Sequence, residues 1–579
     1  MKTKKKKNSS KNGSAHVVSE SVKTYLAENI FKLVSFVIMF IIMSMLSFFR
    51  IATTNTILSF NMRNYEVGQI SDITIIATKT LPSDYDNPVS VEKGEKVVRK
   101  GFPITEEGYA KMKKMSESRA YIDYRAFANS VLYLILWSAL YFFLFGKVSL
   151  NKVCELKEII TIDIFLSITF AVTIFGMKTV WFANPYSINI LLPSVFFTFL
   201  VAILFGQMDA VFFAVLESFV VLGASGYILV PFLYTLCISF AAARIVRRIE
   251  HRIDLVFASA VQGLLCAAFL LVFRIIFLNT FNTLNGWMFS LLGVAFAGFI
   301  SGILCLGFIT PLEYILNSAS VFRLMDLSDT HNPIMQNMMI NAGGTYNHSL
   351  MVAQLAEAAC NRIGANSLLA RVGGYYHDIG KIDNPEYFTE NQSGQNIHDE
   401  LNPSLSVSVI RNHVKKGVEK AAELRLPHQV VAIISEHHGN QVLKGFYVKA
   451  KEADPSVKPE DYSYTGNPPT SRESGVVMLA DTVEAACRSL DNPSASRIEK
   501  FIQELISSKI NENQLQNCPL TFQDLALIKE SFVQILTSFY HSRVKYPDQK
   551  DPETGKIVDA VLGDKTLEKA RNEGDDNGK

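Results

Sequence analysis

The sequence predicts an all-α protein in two parts, a polytopic helical membrane domain followed by a soluble helical domain. Uncharged apolar runs recur from residue 31 to residue 309, and several are long enough to cross a bilayer as helices. From about residue 341 the chain instead alternates charged, polar and apolar residues, as soluble helices do. The 579 residues, of which 49% are apolar, exceed one ordinary domain and indicate a membrane protein.

The N-terminal part contains a tail, a first span and a small polar segment. Residues 1–30 form a basic tail, and the apolar run at 31–49 predicts a transmembrane helix. We expect this helix to remain as an uncleaved anchor, because no small-residue cleavage pattern follows it. Residues 50–127 are polar, with β-like fragments before a charged helical stretch, and predict a small mixed α/β domain outside the membrane.

Seven further apolar segments predict a transmembrane domain over residues 128–309. They lie at roughly 128–146, 159–182, 188–205, 208–223, 226–243, 254–278 and 286–309. Together with the first helix they make eight spans, which return the chain to its starting side.

The basic residues of the loops predict the orientation of these spans. The loops expected inside carry Lys147, Lys152, Lys157, Arg244, Arg247, Arg248 and Arg252. The loops expected outside, at 183–187, 223–226 and 279–285, contain no lysine or arginine. The sequence therefore predicts a multi-pass protein of the cytoplasmic (inner) membrane, with the N-terminus and the soluble domain in the cytoplasm.

Two charged residues, Glu217 and Arg274, fall inside predicted spans. A charge that faces lipid is costly, so each residue could mark an internal polar site. We favour the simpler interpretation, a hydrogen bond between helices or a position near the membrane interface.

The soluble domain is predicted at 342–546, between a linker helix at 310–341 and a charged tail at 547–579 that we expect to be disordered. The seven cysteines of the chain show no CxxC spacing, so we expect reduced thiols. The soluble half shows no basic face, and no nucleic-acid polymer is expected as a partner.

Histidine and aspartate residues form a group in the soluble half. They are His348, His377, His413, His437 and His438, with Asp378 and Asp481. Each one alone is most simply explained as a hydrogen-bonded core residue. This explanation fails for the group, because nearly every histidine of the domain ends or interrupts an apolar helix.

Imidazole nitrogens together with carboxylate oxygens favour Fe, Mn, Zn or Co over Mg or Ca alone. Seven such ligands exceed the three or four that one catalytic zinc takes, so their number predicts two divalent transition-metal ions. Two ions about 3.5–4 Å apart suit an in-line displacement at phosphorus. Neighbours on a helix point about 100° apart, so His377 could bind one ion while Asp378 bridges both.

The soluble half resembles the HD-domain metal-dependent phosphohydrolases, an all-helical fold, in the order His348, His377, Asp378 and Asp481. The additional His413, His437 and His438 resemble its two-metal branch. Longer stretches, among them GGTYNHSLMVAQLAEAA, GYYHDIGKIDNPEYFTENQ and SRESGVVMLADTVEAACRS, are similar to the membrane-bound seven-transmembrane HD family. The characterised members of that family hydrolyse cyclic di-AMP to pApA.

The resemblance implies a membrane-anchored phosphodiesterase that hydrolyses cyclic di-AMP to 5′-pApA and lowers this second messenger, with iron or manganese as its usual metals. One ion would be held by His348, His377, Asp378 and Asp481. The other would be held by Asp378, His413, His437 and His438, which makes Asp378 the bridging catalytic residue. Membrane lipid is a further expected partner, and a homodimer is left open.

Three further residues have roles that the sequence leaves open. Lys381 could act in catalysis, on a phosphate or the nucleophile, or could cap its helix. Arg472 and Arg488 could bind substrate, since a guanidinium suits bidentate recognition of phosphate. Arg488 could equally lie on a solvated helix face.

The sequence also leaves the substrate open. Relatives that cleave cyclic di-GMP carry Gly-Tyr-Pro shortly after the histidine pair, whereas residues 439–442 here read GNQV, so cyclic di-GMP is the second choice of substrate. Two further functions stay open: hydrolysis of another nucleotide, and a receptor that binds the dinucleotide without cleaving it. The family usually carries a large extracytoplasmic domain after its first span, and residues 50–127 would retain only the flanks of such a domain.

Overall fold

The computed structural model describes residues 9–541, with gaps at 53–61, 63–64, 78–79, 84–87, 93, 119–123, 147–148, 150–153, 180, 248, 278–283, 393–395 and 491–493. The tail before residue 9, the predicted disordered tail at 547–579, and the loop residues Lys147, Lys152 and Arg248 lie outside the described residues. The chain divides into two compact units, Met1–Arg323 and Leu324–Lys579.

The first unit consists mainly of long apolar helices. Its elements are α1 (Ser9–Ala52), β1 (Ile75–Ile76), β2 (Lys96–Val98), α2 (Glu106–Glu117), α3 (Tyr124–Leu144), α4 (Leu156–Met177), a 3-10 turn (Ile188–Ile190), α5 (Ser194–Leu204), α6 (Gln207–Ser225), α7 (Leu229–Val246), α8 (Arg252–Ile276) and α9 (Leu284–Leu316). Among the described residues, seven of these helices are long and apolar enough to cross a membrane. The chain is therefore a multi-pass membrane protein.

The stretch at 188–205, one of the eight predicted spans, is not a single long helix. Its helix α5 has 11 residues and begins after Pro193, so it is shorter than the ~20 residues of a full span. The stretch nevertheless runs beside α9, with Ile190 packed on Gly293 and the ring of Phe196 5.6 Å from that of Phe308. Those two contacts lie roughly 22 Å apart along α9 at 1.5 Å per residue. The turn and α5 together thus run along roughly 22 Å of α9, which has 33 residues and a length of roughly 50 Å.

The segment between α1 and α3 has a small core of its own, in agreement with the predicted mixed α/β segment. Strands β1 and β2 pair antiparallel, and their inward residues Ile75 and Val98 pack with Met112 of α2. Thr105 caps α2 by accepting a hydrogen bond from the backbone N–H of Gly108.

The second unit is helical. Across the boundary and through this unit the elements are α10 (Val321–Leu327), α11 (Pro333–Asn341), α12 (Gly343–Ile363), α13 (Ser367–Tyr376), 3-10 turns (Ile379–Asp383, Pro385–Tyr387, Thr389–Asn391, Ile397–Asp399), α14 (Pro403–Glu423), α15 (His428–Glu436), α16 (Lys444–Ala453), a 3-10 turn (Pro459–Tyr462), α17 (Arg472–Cys487), α18 (Ala495–Asn511) and α19 (Phe522–His541).

The stretch at 310–341, predicted as one linker helix, consists of three helical pieces. Helix α9 continues to Leu316 and stops before Asn317, whose positive φ of 56° no α-helix accommodates. Helix α10 follows, and Asn332 then caps a new helix, α11, with Pro333 as its first residue. The breaks arise from the positive φ at Asn317 and from the helix start at Asn332 and Pro333. The spacing of apolar residues, which predicted one helix, does not detect such local features.

Two glycines allow close packing around α13. A Cβ on Gly374 would lie 2.6 Å from the Cα of Ala353 in α12, and one on Gly373 would lie 2.5 Å from Cδ1 of Ile433 in α15. Helices α12, α13 and α15 therefore converge just before His377.

Candidate metal centre

The pair His377 and Asp378 lies at the end of α13 rather than inside a helix. Helix α13 ends at Tyr376, His377 keeps helical backbone angles, and Asp378 precedes the turn at Ile379–Asp383. The expectation of two neighbours on one continuous helix is corrected by this bend. Gly380 follows in the turn and packs directly on the backbone carbonyl of His413, so a larger residue has no room there.

Four helical elements in addition to α13 bring their side chains to the same point. His348 comes from α12, His413 from α14, Asp481 from α17, and His437 and His438 follow the end of α15. Their ligand atoms form two groups, each within 4.8 Å: His348, His377 and Asp481; and Asp378, His413, His437 and His438. All seven residues singled out in the sequence thus meet in one cluster.

Asp378 lies between the two groups. Its Oδ2 is 3.2 Å from Nε2 of His377 and 3.6 Å from Nε2 of His348. Its Oδ1 is 3.4 Å from Nε2 of His413 and 3.7 Å from Nε2 of His437. Each carboxylate oxygen therefore faces a different group, as a bridging ligand would.

Asp481 also contacts both groups. Its Oδ1 is 3.1 Å from Nε2 of His348, and its Oδ2 is 3.5 Å from Nδ1 of His438. Burial would raise the pKa of this carboxyl, but the hydrogen bond from His348 holds it well below its usual range.

Three imidazoles are oriented by backbone carbonyls three residues earlier in the chain. Nδ1 of His377 donates to Gly374 O at 2.8 Å, and Nδ1 of His437 donates to Ile434 O at 2.8 Å. His413 contacts the carbonyl of Ile410 in the same way at 2.5 Å. In the neutral imidazole each bond places the ring proton on Nδ1, so that Nε2, which is turned towards the cluster, is free to bind a metal.

His348 is held by a side chain instead. Its Nδ1 lies 2.5 Å from Oε2 of Glu484, one helical turn after Asp481 on α17. Burial by itself would lower the pKa of His348, but the hydrogen bonds with Asp481 and Glu484 raise it to about 10. In contrast, burial lowers the pKa of His413 to about 3 and that of His438 well below its usual value.

The cluster fits divalent transition-metal ions. Nε2 of His377 and Oδ1 of Asp378 are buried and have no hydrogen-bond partner among the described residues. Unpaired buried polar atoms are rare, and here they belong to a set of nitrogen and oxygen donors that such ions prefer. The types and the grouping of these donors therefore suit divalent transition-metal ions.

Lys381 contacts carboxylates rather than capping a helix. Its Nζ is 2.8 Å from Oδ2 of Asp378 and 2.8 Å from Oε1 of Glu390, above the ring of Phe388. Burial opposes the charge of this amine, yet the two carboxylates raise its pKa. The ammonium thus neutralises part of the negative charge on Asp378.

The two arginines occupy different places. Arg472 lies at the start of α17, about 13 Å along the helix from Asp481, and donates to the carbonyl of Ile363 at 2.6 Å and to Asp524 at 3.1 Å. It joins three helices and does not line the cavity of the cluster, so the structure does not favour the predicted substrate contact. Arg488 lines that cavity and pairs with Oε1 of Glu484 at 2.5 Å.

The cavity has a volume of about 760 Å³, within the usual range for small-molecule sites. Its wall contains members of the cluster together with Lys381, Arg488, Lys509 and the ring of Tyr464, which stacks on His438 with centroids 4.3 Å apart. Sequence reasoning missed Glu390, Tyr464 and Glu484. Only Glu484 had a usable signal, its position three residues after Asp481 on the same helix.

The fold and the cluster define a polytopic membrane protein that carries a helical metal-binding domain of the HD type. Two family models match the chain: "7TM receptor with intracellular HD hydrolase" over residues 127–320 and "HD domain" over residues 345–486. The chain belongs to this family of seven-transmembrane HD proteins.

Two relatives are similar to this chain over different lengths. The chain is 33% identical over 475 residues to "Cyclic-di-AMP phosphodiesterase PgpH" of Listeria monocytogenes, which covers 80% of this chain and 65% of the relative. The protein of the same name from Bacillus subtilis is 42% identical over 259 residues, which cover 45% of this chain and 36% of the relative. The chain thus spans less than two thirds of the length of either relative.

A solved structure of the L. monocytogenes PgpH HD domain in complex with cyclic-di-AMP is also similar. It has 42% sequence identity, covers 37% of this chain and all of its own, and superposes with a TM-score of 0.36.

Proposed function

We propose that this protein is a membrane-anchored, metal-dependent phosphodiesterase that hydrolyses cyclic di-AMP to 5′-pApA. The observation that carries the proposal is the cluster of five histidines and two aspartates, in which the two carboxylate oxygens of Asp378 face different groups of ligands. Two relatives named as cyclic-di-AMP phosphodiesterases support the choice of substrate.

The two groups would each hold one ion, iron or manganese, with Asp378 shared between them. Such ions, when bound, supply Lewis acidity for a phosphoryl oxygen and lower the pKa of a bound water. The protein contributes fixed positions for its donors, because three of the five imidazoles are tied to backbone carbonyls and that of His348 is tied to Glu484.

The residues of the cavity wall would orient the substrate. Arg488 carries a guanidinium beside the cluster, where it could bind a substrate phosphate. Tyr464 and Phe388 offer ring faces on which an adenine could stack. Lys381 would restrain Asp378 through its ion pair and stand beside the reacting phosphate.

We also propose that the HD domain, over residues 342–546, and the N-terminus lie on the cytoplasmic face of the cell membrane. The basic residues Lys157, Arg244, Arg247 and Arg252 support this orientation. The path of residues 188–204 alongside α9 supports an even number of crossings. The exposed apolar residues of the long helices suit contact with membrane lipid, and a homodimer stays a prediction.

The test uses the full chain, purified in detergent and loaded with Mn²⁺ or Fe²⁺ under reducing conditions. Cyclic di-AMP, cyclic di-GMP and a deoxynucleoside triphosphate are supplied in parallel, and products and metal content are measured. We expect conversion of cyclic di-AMP to pApA at the highest kcat/KM. Tight binding of cyclic di-AMP without turnover would instead indicate a receptor. Faster turnover of another nucleotide would show that cyclic di-AMP is not the preferred substrate.

The substitution Asp378→Ala should reduce turnover to background, because it removes the oxygens that face both groups of ligands. Asp383→Asn is a matched control, since Asp383 lies five residues later and pairs with Lys420 at 2.6 Å outside the cluster. Turnover retained by Asp378→Ala would contradict the two-metal assignment.

A further inference from the structure

The transmembrane unit contains a second cluster of buried polar side chains, centred on Glu217 of α6. Glu217 is fully buried, and its Oε1 accepts a hydrogen bond of 3.0 Å from the Thr169 hydroxyl of α4. Its Oε2 is buried without a hydrogen-bond partner among the residues that the structure describes. One half of the carboxylate is therefore unsatisfied inside the helix bundle.

Hydroxyl groups from two more helices surround the same carboxylate. Ser194 of α5 and Ser239 of α7 lie close enough to interact with Glu217, yet neither hydroxyl completes a hydrogen bond of good geometry. Thr198 and Thr235 lie one helical turn from those serines, and their hydroxyls are likewise fully buried and unpartnered in the described part of the bundle.

An amide oxygen joins this set from α8. Gln262 is fully buried and donates to the carbonyl of Ile238, next to Ser239, at 2.8 Å. Its Oε1 has no partner among the described residues. Helices α4 to α8 thus each contribute a buried polar side chain to this part of the unit, and on α5 to α8 several of their oxygen atoms make no hydrogen bond among the described residues.

A second buried acid in the same unit, Asp163, has hydrogen bonds to both of its carboxylate oxygens. Asp163 of α4 accepts 2.6 Å and 2.7 Å hydrogen bonds on its two oxygens, from Ser35 and Tyr141. For Glu217, only the Thr169 hydroxyl makes a hydrogen bond of good geometry among the described residues, and no described lysine, arginine or histidine compensates its charge. A hydrogen bond between helices, the simpler interpretation of Glu217, therefore explains only the Thr169 contact.

We propose that Glu217 and the oxygen atoms around it bind one monovalent alkali cation within the transmembrane helices. Carboxylate, hydroxyl and amide oxygens are ligands for hard cations. One positive charge neutralises the single carboxylate, whereas a divalent ion would leave an excess charge in a low-dielectric region. The cation would also give the unpartnered oxygens a common electrostatic partner.

Tryptophan fluorescence can test this in the full-length protein, because all three tryptophans of the chain, Trp137, Trp181 and Trp287, belong to the first unit. Thermal unfolding is followed in detergent with NaCl, KCl or LiCl, against choline chloride at equal ionic strength. We expect at least one alkali cation to raise the Tm saturably by a few degrees relative to choline. Binding of ²²Na⁺, or of ⁸⁶Rb⁺ if K⁺ is the effective ion, should saturate at one ion per chain.

The variant Glu217→Gln should lose this dependence on the cation and should be no less stable than the parent protein in choline, because its amide carries no uncompensated charge. Ser239→Ala keeps the carboxylate and should raise the half-saturating cation concentration about tenfold, the loss of roughly one hydrogen-bond-strength contact. Asp163→Asn, the matched control, should retain the cation effect whatever its own stability.

Two results would overturn the proposal. The first is a Tm that responds to all three alkali cations and choline equally, including the case in which stability varies with pH alone and Glu217 carries a proton. The second is a cation effect that persists unchanged in Glu217→Gln.

Discussion

At the scale of single residues, the orientation of most histidines in the cluster depends on the hydrogen-bond partner of Nδ1. His377, His413 and His437 use backbone carbonyls of their own helices, which any sequence at those positions would provide. His348 depends on one side chain, Glu484, which also pairs with Arg488 at the cavity wall. Glu484 is therefore the most vulnerable support of the site, although it is not itself one of the seven donors.

Replacement of Glu484 by Ala should weaken metal binding by about 10–100-fold, the usual effect of removing the partner of a metal-binding histidine. The half-saturating Mn²⁺ concentration for turnover measures this. Glu484→Gln should recover part of the affinity, because its amide oxygen can still accept the hydrogen bond from Nδ1 of His348. Equal metal affinity in the Ala variant and the parent protein would show that Glu484 does not orient His348.

At the scale of secondary-structure elements, the site depends on how closely α12, α13 and α15 approach one another. Glycines at 373 and 374 remove the side chains that would separate these helices. The turn after Asp378 then directs the side chains of His377 and Asp378 towards different ligand residues of the cluster. Close packing of the backbone, rather than loop geometry alone, sets the distance between His348 on α12 and His377 after α13.

The substitution Gly374→Ala should lower the local free energy of unfolding by about 1–3 kcal/mol, because the new Cβ would meet the backbone of Ala353. Hydrogen exchange in peptides from α12 and α13 measures the effect, together with the metal content of the purified protein. Gly445→Ala is the control: residue 445 lies in α16 with nothing near its Cβ position, so this change should be neutral or slightly stabilising. Unchanged hydrogen exchange and metal content in Gly374→Ala would refute the packing argument.

At the scale of the whole molecule, two units carry different buried polar clusters. The first unit places acids and hydroxyls inside apolar helices, and the second gathers histidines and aspartates beside an open cavity. Tryptophan fluorescence follows the first unit separately in the intact chain, since no tryptophan lies in the second unit.

Metal removal should affect the second unit selectively. A chelator should abolish turnover and speed hydrogen exchange in α12, α13 and α17, and Mn²⁺ or Fe²⁺ should reverse both effects. At a metal concentration 100 times the Kd the stabilisation would be about 2.7 kcal/mol. The Tm reported by tryptophan should stay unchanged, and Asp378→Ala should show little metal-dependent protection. A chelator-resistant enzyme would contradict a metal requirement.

Much of this protein follows from its sequence, because the relevant signals are local. Apolar runs distinguish the membrane unit from the second unit, and the order of histidines and aspartates resembles that of the HD domains. The residues of the cluster can be selected in this way because each interrupts or ends an apolar helix. Family membership is then supported by the match of both parts of the chain.

The tertiary structure alone decided how those residues and their neighbours pair. One predicted span contains a helix of only 11 residues, and the chain bends at Asp378. Arg472 bonds to Ile363 and Asp524. The tertiary structure also joined Glu484 to His348, 136 positions earlier, and left Glu217 among unpartnered oxygens. Hydropathy and spacing describe a residue and its near neighbours, whereas these contacts depend on the packing of helices that are distant in the chain.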